Sequence, residues 1–137
     1  MRGLNLTERA TPLRLLLAER SAGSNGLSQL FADNDDIEVV GSARKAIEAL
    51  ALAEQLQPDA VLLDIEMPGE TLVFVLDLMK RNTPPPAVVI LIPYASLVLR
   101  ERALEAGADY VFPRTADPER LLKALGKVAR ERAKQSA

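Results

Sequence analysis

AVLLDIEMPG, residues 60–69, is an apolar run that delivers one carboxylate, Asp64, to its end and then breaks into a Pro-Gly loop. A strand covered on both faces reads as continuous hydrophobics, and in an open parallel sheet its carboxyl tip opens into the crevice where ligands and reactive groups collect. Asp64 is therefore the first candidate for a working residue. An Asp after a strand also serves as a turn cap that accepts backbone hydrogen bonds. The rest of the chain has to decide between the two uses.

On the amino-terminal side, LRLLLA (13–18) reads as a first strand that stops at Glu19-Arg20-Ser21. The following SAGSNGLSQLFADND should hold a short or late-starting helix, because Gly23 and Gly26 each weaken a helical turn by roughly 1 kcal/mol relative to Ala. IEVVG from Ile37 is a second strand, with Ser42 as the expected N-cap of a helix over 43–57 that Pro58 ends. Beyond AVLLD, residues 71–81 carry an apolar helical face of Leu72, Val75, Leu76 and Met79, closed off by the triple proline at 84–86.

AVVILI from Ala87 is a fourth strand, followed by a Pro93 loop, a helix over 97–106 and the stop residue Gly107. DYVF (109–112) is a short fifth strand. Asp117-Pro118 then supplies an N-cap and a first-turn proline for a last helix to about Arg132, buried along Leu121, Leu122, Leu125, Val128 and Ala129. Five strands alternating with five helices predict right-handed crossovers and a doubly wound parallel sheet. The expected domain is 12–132, with 1–11 and 133–137 as flexible tails.

Composition narrows the chemistry. The 137 residues, 48% of them hydrophobic, suit one domain. A net charge of −2 gives no electrostatic reason to bind nucleic acid. The chain contains neither cysteine nor histidine, which removes disulfides, thiolate metal sites, the commonest zinc ligand, and Ser-His-Asp and Cys-His catalysis. The opening MRGLNLTERATP lacks the apolar stretch of a signal peptide, and no apolar run approaches the roughly 20 residues that span a bilayer. A cytoplasmic protein with no membrane contact is expected.

AVLLDIEMPG, the five-fold alternation and the later ALEAGADYVFPR together resemble the receiver domain of two-component response regulators over nearly the whole chain. The resemblance implies an α/β flavodoxin-like (βα)5 three-layer sandwich with strand order 2-1-3-4-5, which sets the tips of strands one and three side by side. It implies that Asp64 is the phosphoacceptor for a histidine kinase or phosphotransfer protein. It also implies a Mg²⁺ ion held by Glu19, Asp64 and the backbone carbonyl of Glu66, because a dianionic donor has to be brought against an anionic nucleophile.

Several positions depart from the family pattern. Two adjacent acids normally follow strand one, but here they read Glu19 and Arg20. A positive charge about 5 Å from a divalent ion costs several kcal/mol at an effective dielectric of about 20, so Arg20 is expected to weaken metal binding. The hydroxyl that usually ends strand four is replaced by Ile92, which has no donor. The Lys that ends strand five aligns with Arg114, preserving the charge but not its shape. Arg20, Arg114 or both can then pair directly with Asp64.

Three functions from different classes follow. The leading one is a receiver in a phosphorelay, not itself an enzyme, working through an output protein partner. The second is a phosphorylation-independent pseudo-receiver, an interaction module whose face comprises Pro93, Tyr94, Leu97, Val98 and Val111. The unusually apolar start of that helix also admits a second copy of the chain. The remote third is a haloacid-dehalogenase-like phosphatase, with Asp64 attacking and Glu66 as general acid. The cations Lys123, Lys127, Arg130 and Lys134 on the last helix read as a solvated face or an acidic-partner dock.

Overall fold

The computed structural model describes residues 11–19, 27–66 and 72–136. The expectations placed on Arg20, Gly23, Gly26, Thr71 and residues 1–10 lie outside these residues. Five strands, β1 (Leu13–Ala18), β2 (Ile37–Ala43), β3 (Ala60–Asp64), β4 (Ala87–Ile92) and β5 (Tyr110–Pro113), alternate with α1 (Leu27–Ala32), α2 (Ala46–Leu56), α3 (Leu72–Met79), α4 (Leu97–Ala106) and α5 (Pro118–Ser136). The sheet is parallel throughout, in the order β2-β1-β3-β4-β5. That is the expected doubly wound topology.

The period-two alternation of a strand divides the core between two faces. Leu16, Ala18, Val61, Leu63, Val88, Ile90, Ile92 and Val111 pack against α2, α3 and α4. Leu15, Leu17, Ala60, Leu62, Val89 and Leu91 pack against Phe31 of α1 and Leu121, Leu125 and Val128 of α5. All five residues of β3 are buried, so the strand that carries Asp64 is the most constrained rail in the sheet.

Element ends differ from the sequence reading for identifiable reasons. Ser42 is not a helix cap, because β2 continues to Ala43 in register with Leu17 and Ala18 of β1. Helix α2 therefore starts at Ala46, and the Arg44 amide is satisfied by the Glu48 carboxylate at 2.9 Å. β5 begins at Tyr110 rather than Asp109, whose carboxylate instead accepts from the Val88 amide at 2.7 Å and from Lys80 at 2.5 Å. Helix α5 continues to Ser136 instead of giving way to a tail at 133, since Ala133, Lys134 and Gln135 are good helix formers and no breaker intervenes.

Gly107 sits at φ 116 and closes α4, a left-handed stop that a side chain would strain. Arg14 reaches from β1 to the last turn of α2, where Nη1 donates to the carbonyls of Leu56 at 2.8 Å and Gln57 at 2.9 Å. A cation there satisfies helix-end acceptors and complements the dipole. Arg14→Ala is expected to cost about 1–2 kcal/mol, since both carbonyls lose a charged donor. A thermal melt should show a Tm lower by roughly 4–8 °C. An unchanged Tm would mean the contact contributes nothing to the folded state.

Candidate functional site

Asp64 ends β3, and the pairing of Leu63 with Ala18 brings Glu19 out of the sheet beside it. Both carboxylates are buried, Asp64 at 4% exposure and Glu19 at 5%, and they are the buried charged residues of the described chain. The Glu19 amide donates to Ala43 O at 3.1 Å, which fixes the backbone of that strand tip. Buried at the switch point of an open sheet, the Asp64 carboxylate needs a counter-charge.

Arg114 supplies it. Its amide donates to Ile92 O at 2.8 Å, which anchors the residue to the end of β4. Its Nη2 then reaches Oδ1 of Asp64 at 2.5 Å and Oε1 of Glu66 at 3.0 Å. The same Oδ1 accepts from the Glu66 amide at 2.9 Å. Asp64 is therefore both a turn acceptor and the partner of a cation, and its Oδ2 accepts no hydrogen bond among the described residues.

The guanidinium is held above its ordinary pKa, first by its hydrogen bond to Asp64, against the opposing effect of burial, and further by Glu66. A base whose folded pKa is raised contributes stability that is complete below its unfolded value and fades only as pH climbs through the folded one. For an arginine both values lie above the working range of the protein, so the pair does not dissociate through Arg114 at any ordinary pH.

The remaining expected site positions fall out as follows. Ile92 is 2% exposed and belongs to the core beneath α3 and α4, so its side chain fills hydrocarbon space and offers the site nothing. Val111 is 5% exposed and does not belong to an exposed interaction face. It points into the same core while Tyr110 and Phe112 take the opposite face, their rings stacked with centroids 6.5 Å apart. Pro93 is half-buried, whereas Tyr94, Leu97 and Val98 are exposed, Leu97 at 78%. The side chain of Glu66 is a participant that the receiver reading of the sequence missed, having been given only a carbonyl there and a general-acid role in the phosphatase alternative. The available signal was an acid two residues past Asp64 in a chain whose last strand ends in a cation.

Magnesium fits this surrounding in kind, because Glu19, Asp64 and the Glu66 carbonyl are hard oxygen donors. In number the set is thin: among the described residues no group of three or more His, Cys, Asp or Glu side chains comes together to hold a metal ion. The guanidinium on Oδ1 already neutralises part of the charge that would attract one.

The sequence model described as the response regulator receiver domain matches residues 16–126. The chain is 36% identical over 98 residues to the transcriptional regulatory protein YhcZ of Bacillus subtilis, which covers 72% of this chain and 46% of that protein. It is 34% identical over 119 residues to the nitrate/nitrite response regulator protein NarL of Escherichia coli, covering 84% of this chain and 53% of NarL. The chain thus spans about half the length of the curated relatives it matches. Among solved structures, the response regulator domain of Thermotoga maritima CheB superposes with a TM-score of 0.75 at 25% identity, over 87% of this chain and 97% of that one. With that fold, that strand order and a match over residues 16–126, the chain belongs to the receiver domain family of two-component response regulators.

Proposed function

We propose that Asp64 is the phosphoacceptor of this receiver domain, with Arg114 as the cation that neutralises the incoming phosphoryl group. The observation that carries the reading is the single buried carboxylate at the end of β3, with one oxygen engaged by Arg114 and the Glu66 amide and the other left to react. Oδ2 attacks phosphorus, and the new O–P bond forms as the P–N bond of a donor phosphohistidine breaks. The electron pair remains on the imidazole nitrogen, which is left neutral or takes a proton from water according to its protonation state. Arg114 meets the equatorial oxygens as charge builds there.

Glu19, Asp64 and the Glu66 carbonyl would hold Mg²⁺, which would supply charge neutralisation when bound. The donor is a histidine kinase or phosphotransfer protein, and the consequence is carried by an output partner. The chain is a switch, not an enzyme with its own turnover. No helix among the described residues is long and apolar enough to cross a membrane. The haloacid-dehalogenase-like reading is not favoured: its general acid would be Glu66, and that carboxylate is committed to Arg114.

The test is incubation with acetyl phosphate, with and without Mg²⁺, read by intact mass. One phosphoryl group is expected on the wild type and none on Asp64→Ala, with uptake increased only modestly by the metal. No adduct under either condition would replace this reading with the phosphorylation-independent pseudo-receiver.

A further inference from the structure

A receiver has to convert a modified aspartate into an altered surface, and two side chains that could do so are missing from the place where they would act. Ile92 carries no hydroxyl and is 2% exposed in the core. Val111, at 5% exposure, is a stiff β-branched side chain packed among Ala103, Ile90 and Ile92, with no inward and outward positions to exchange. Neither can follow a change at Asp64.

Arg114 can. Its Nη2 is shared by two carboxylates of different standing, the buried one of Asp64 and that of Glu66, whose side chain is 41% exposed. Glu66 is also a wall of a cavity of about 580 Å³ between α3 and α4, beside Leu72, Val73, Tyr94 and Arg102. The Arg114–Glu66 contact therefore joins the acceptor to that groove directly.

We infer that Glu66 is a positioning residue for Arg114, holding one side of the guanidinium in the unmodified protein and surrendering it when Asp64 is phosphorylated, so that the Glu66 carboxylate, parted from Arg114, alters the groove between α3 and α4. The inference rests on Asp64 being the phosphoacceptor. Phosphorylation replaces one carboxylate charge with a group carrying about −1.5 to −2, rich in acceptor oxygens. An arginine fork offered that group beside a half-exposed carboxylate takes the stronger acceptor, because water screens the Glu66 partner and not the buried one. The backbone of Arg114, tied to Ile92 O, stays in place while the side chain reorients. What changes in the groove is the charge and orientation of one wall.

The experiment uses isotope-labelled full chain, wild type and Glu66→Gln, with acetyl phosphate and Mg²⁺, followed by intact mass and by ¹H–¹⁵N NMR of the Arg114 Nε–H and of the Val73, Tyr94 and Arg102 amides. On the wild type the adduct is expected to move all four resonances. On Glu66→Gln the adduct should still form and the Arg114 resonance still move, but the groove amides should lose their response. Glu66→Asp, which keeps the charge and shortens the reach, should lose it as well. A groove response that persists in Glu66→Gln at equal phosphorylation overturns the inference while leaving the acceptor intact. Absence of an adduct on the wild type overturns the acceptor reading, and this one with it.

Discussion

Arg114→Met is expected to destabilise the domain by about 2–3 kcal/mol. Breaking a buried ion pair by removing one partner costs about 3–5 kcal/mol, and the figure is discounted here because the Arg114 side chain is 23% exposed. Asp64, at 6% exposure of its side chain, would lose that cation and keep the Glu66 amide as its partner among the described residues. With a urea m-value of about 1–3 kcal/mol/M, the unfolding midpoint should fall by about 0.7–3 M. The charge argument makes a second demand. Asp64→Asn removes the need for a counter-ion, so Asp64→Asn/Arg114→Met should be less destabilised than the sum of the single changes. Strict additivity, or a wild-type midpoint for Arg114→Met, would show that the contact neutralises nothing.

The second large effect is expected at Ile92, and it runs against the simplest repair suggested by the sequence. Ile92→Thr would place a hydroxyl where receivers usually have one. The side chain, however, lies in the core with Val88, Ile90, Ala103 and Val111. The substitution removes buried hydrocarbon at about 0.8 kcal/mol per methylene-sized group and adds a polar atom that costs about 1–3 kcal/mol if it finds no partner. A loss of about 2–3 kcal/mol is expected, with no gain in phosphoryl uptake by intact mass. Increased uptake at unchanged stability would place that side chain in the pocket after all.

These two positions also show how far the residues alone could be read. The sheet was legible because strands covered on both faces are continuous apolar runs, as in AVLLD and AVVILI, and because Pro58, the 84–86 prolines and Gly107 punctuate them. Asp64 was legible as an acid at the tip of such a run, followed by a Pro-Gly break. Ser42 misled because its place in β2 is set by pairing with Leu17, a partner 25 positions away in sequence. Val111 misled because strand parity decides which face a side chain takes: Val111 turns into the core with Ile90 and Ile92, while Tyr110 and Phe112 on either side of it take the opposite face. The pairing of Glu66 was hard to read for a different reason: its partner Arg114 lies 48 residues away, so the acid in IEMPG and the cation after the last strand were its only hints.

The mounting of Arg114 bears on speed. Its amide is pinned to the end of β4 and its target rides on the end of β3, two strands paired along Leu63–Ile90 and Asp64–Leu91. Passing the guanidinium from one acceptor to another thus asks for rotation about side-chain bonds and not for a hinge, a sliding helix or a refolded loop. Such rotations finish within picoseconds to nanoseconds in partly exposed residues. The clock of this domain would then be kept by the arrival and hydrolysis of the phosphoryl group, and the protein would follow each event without measurable lag.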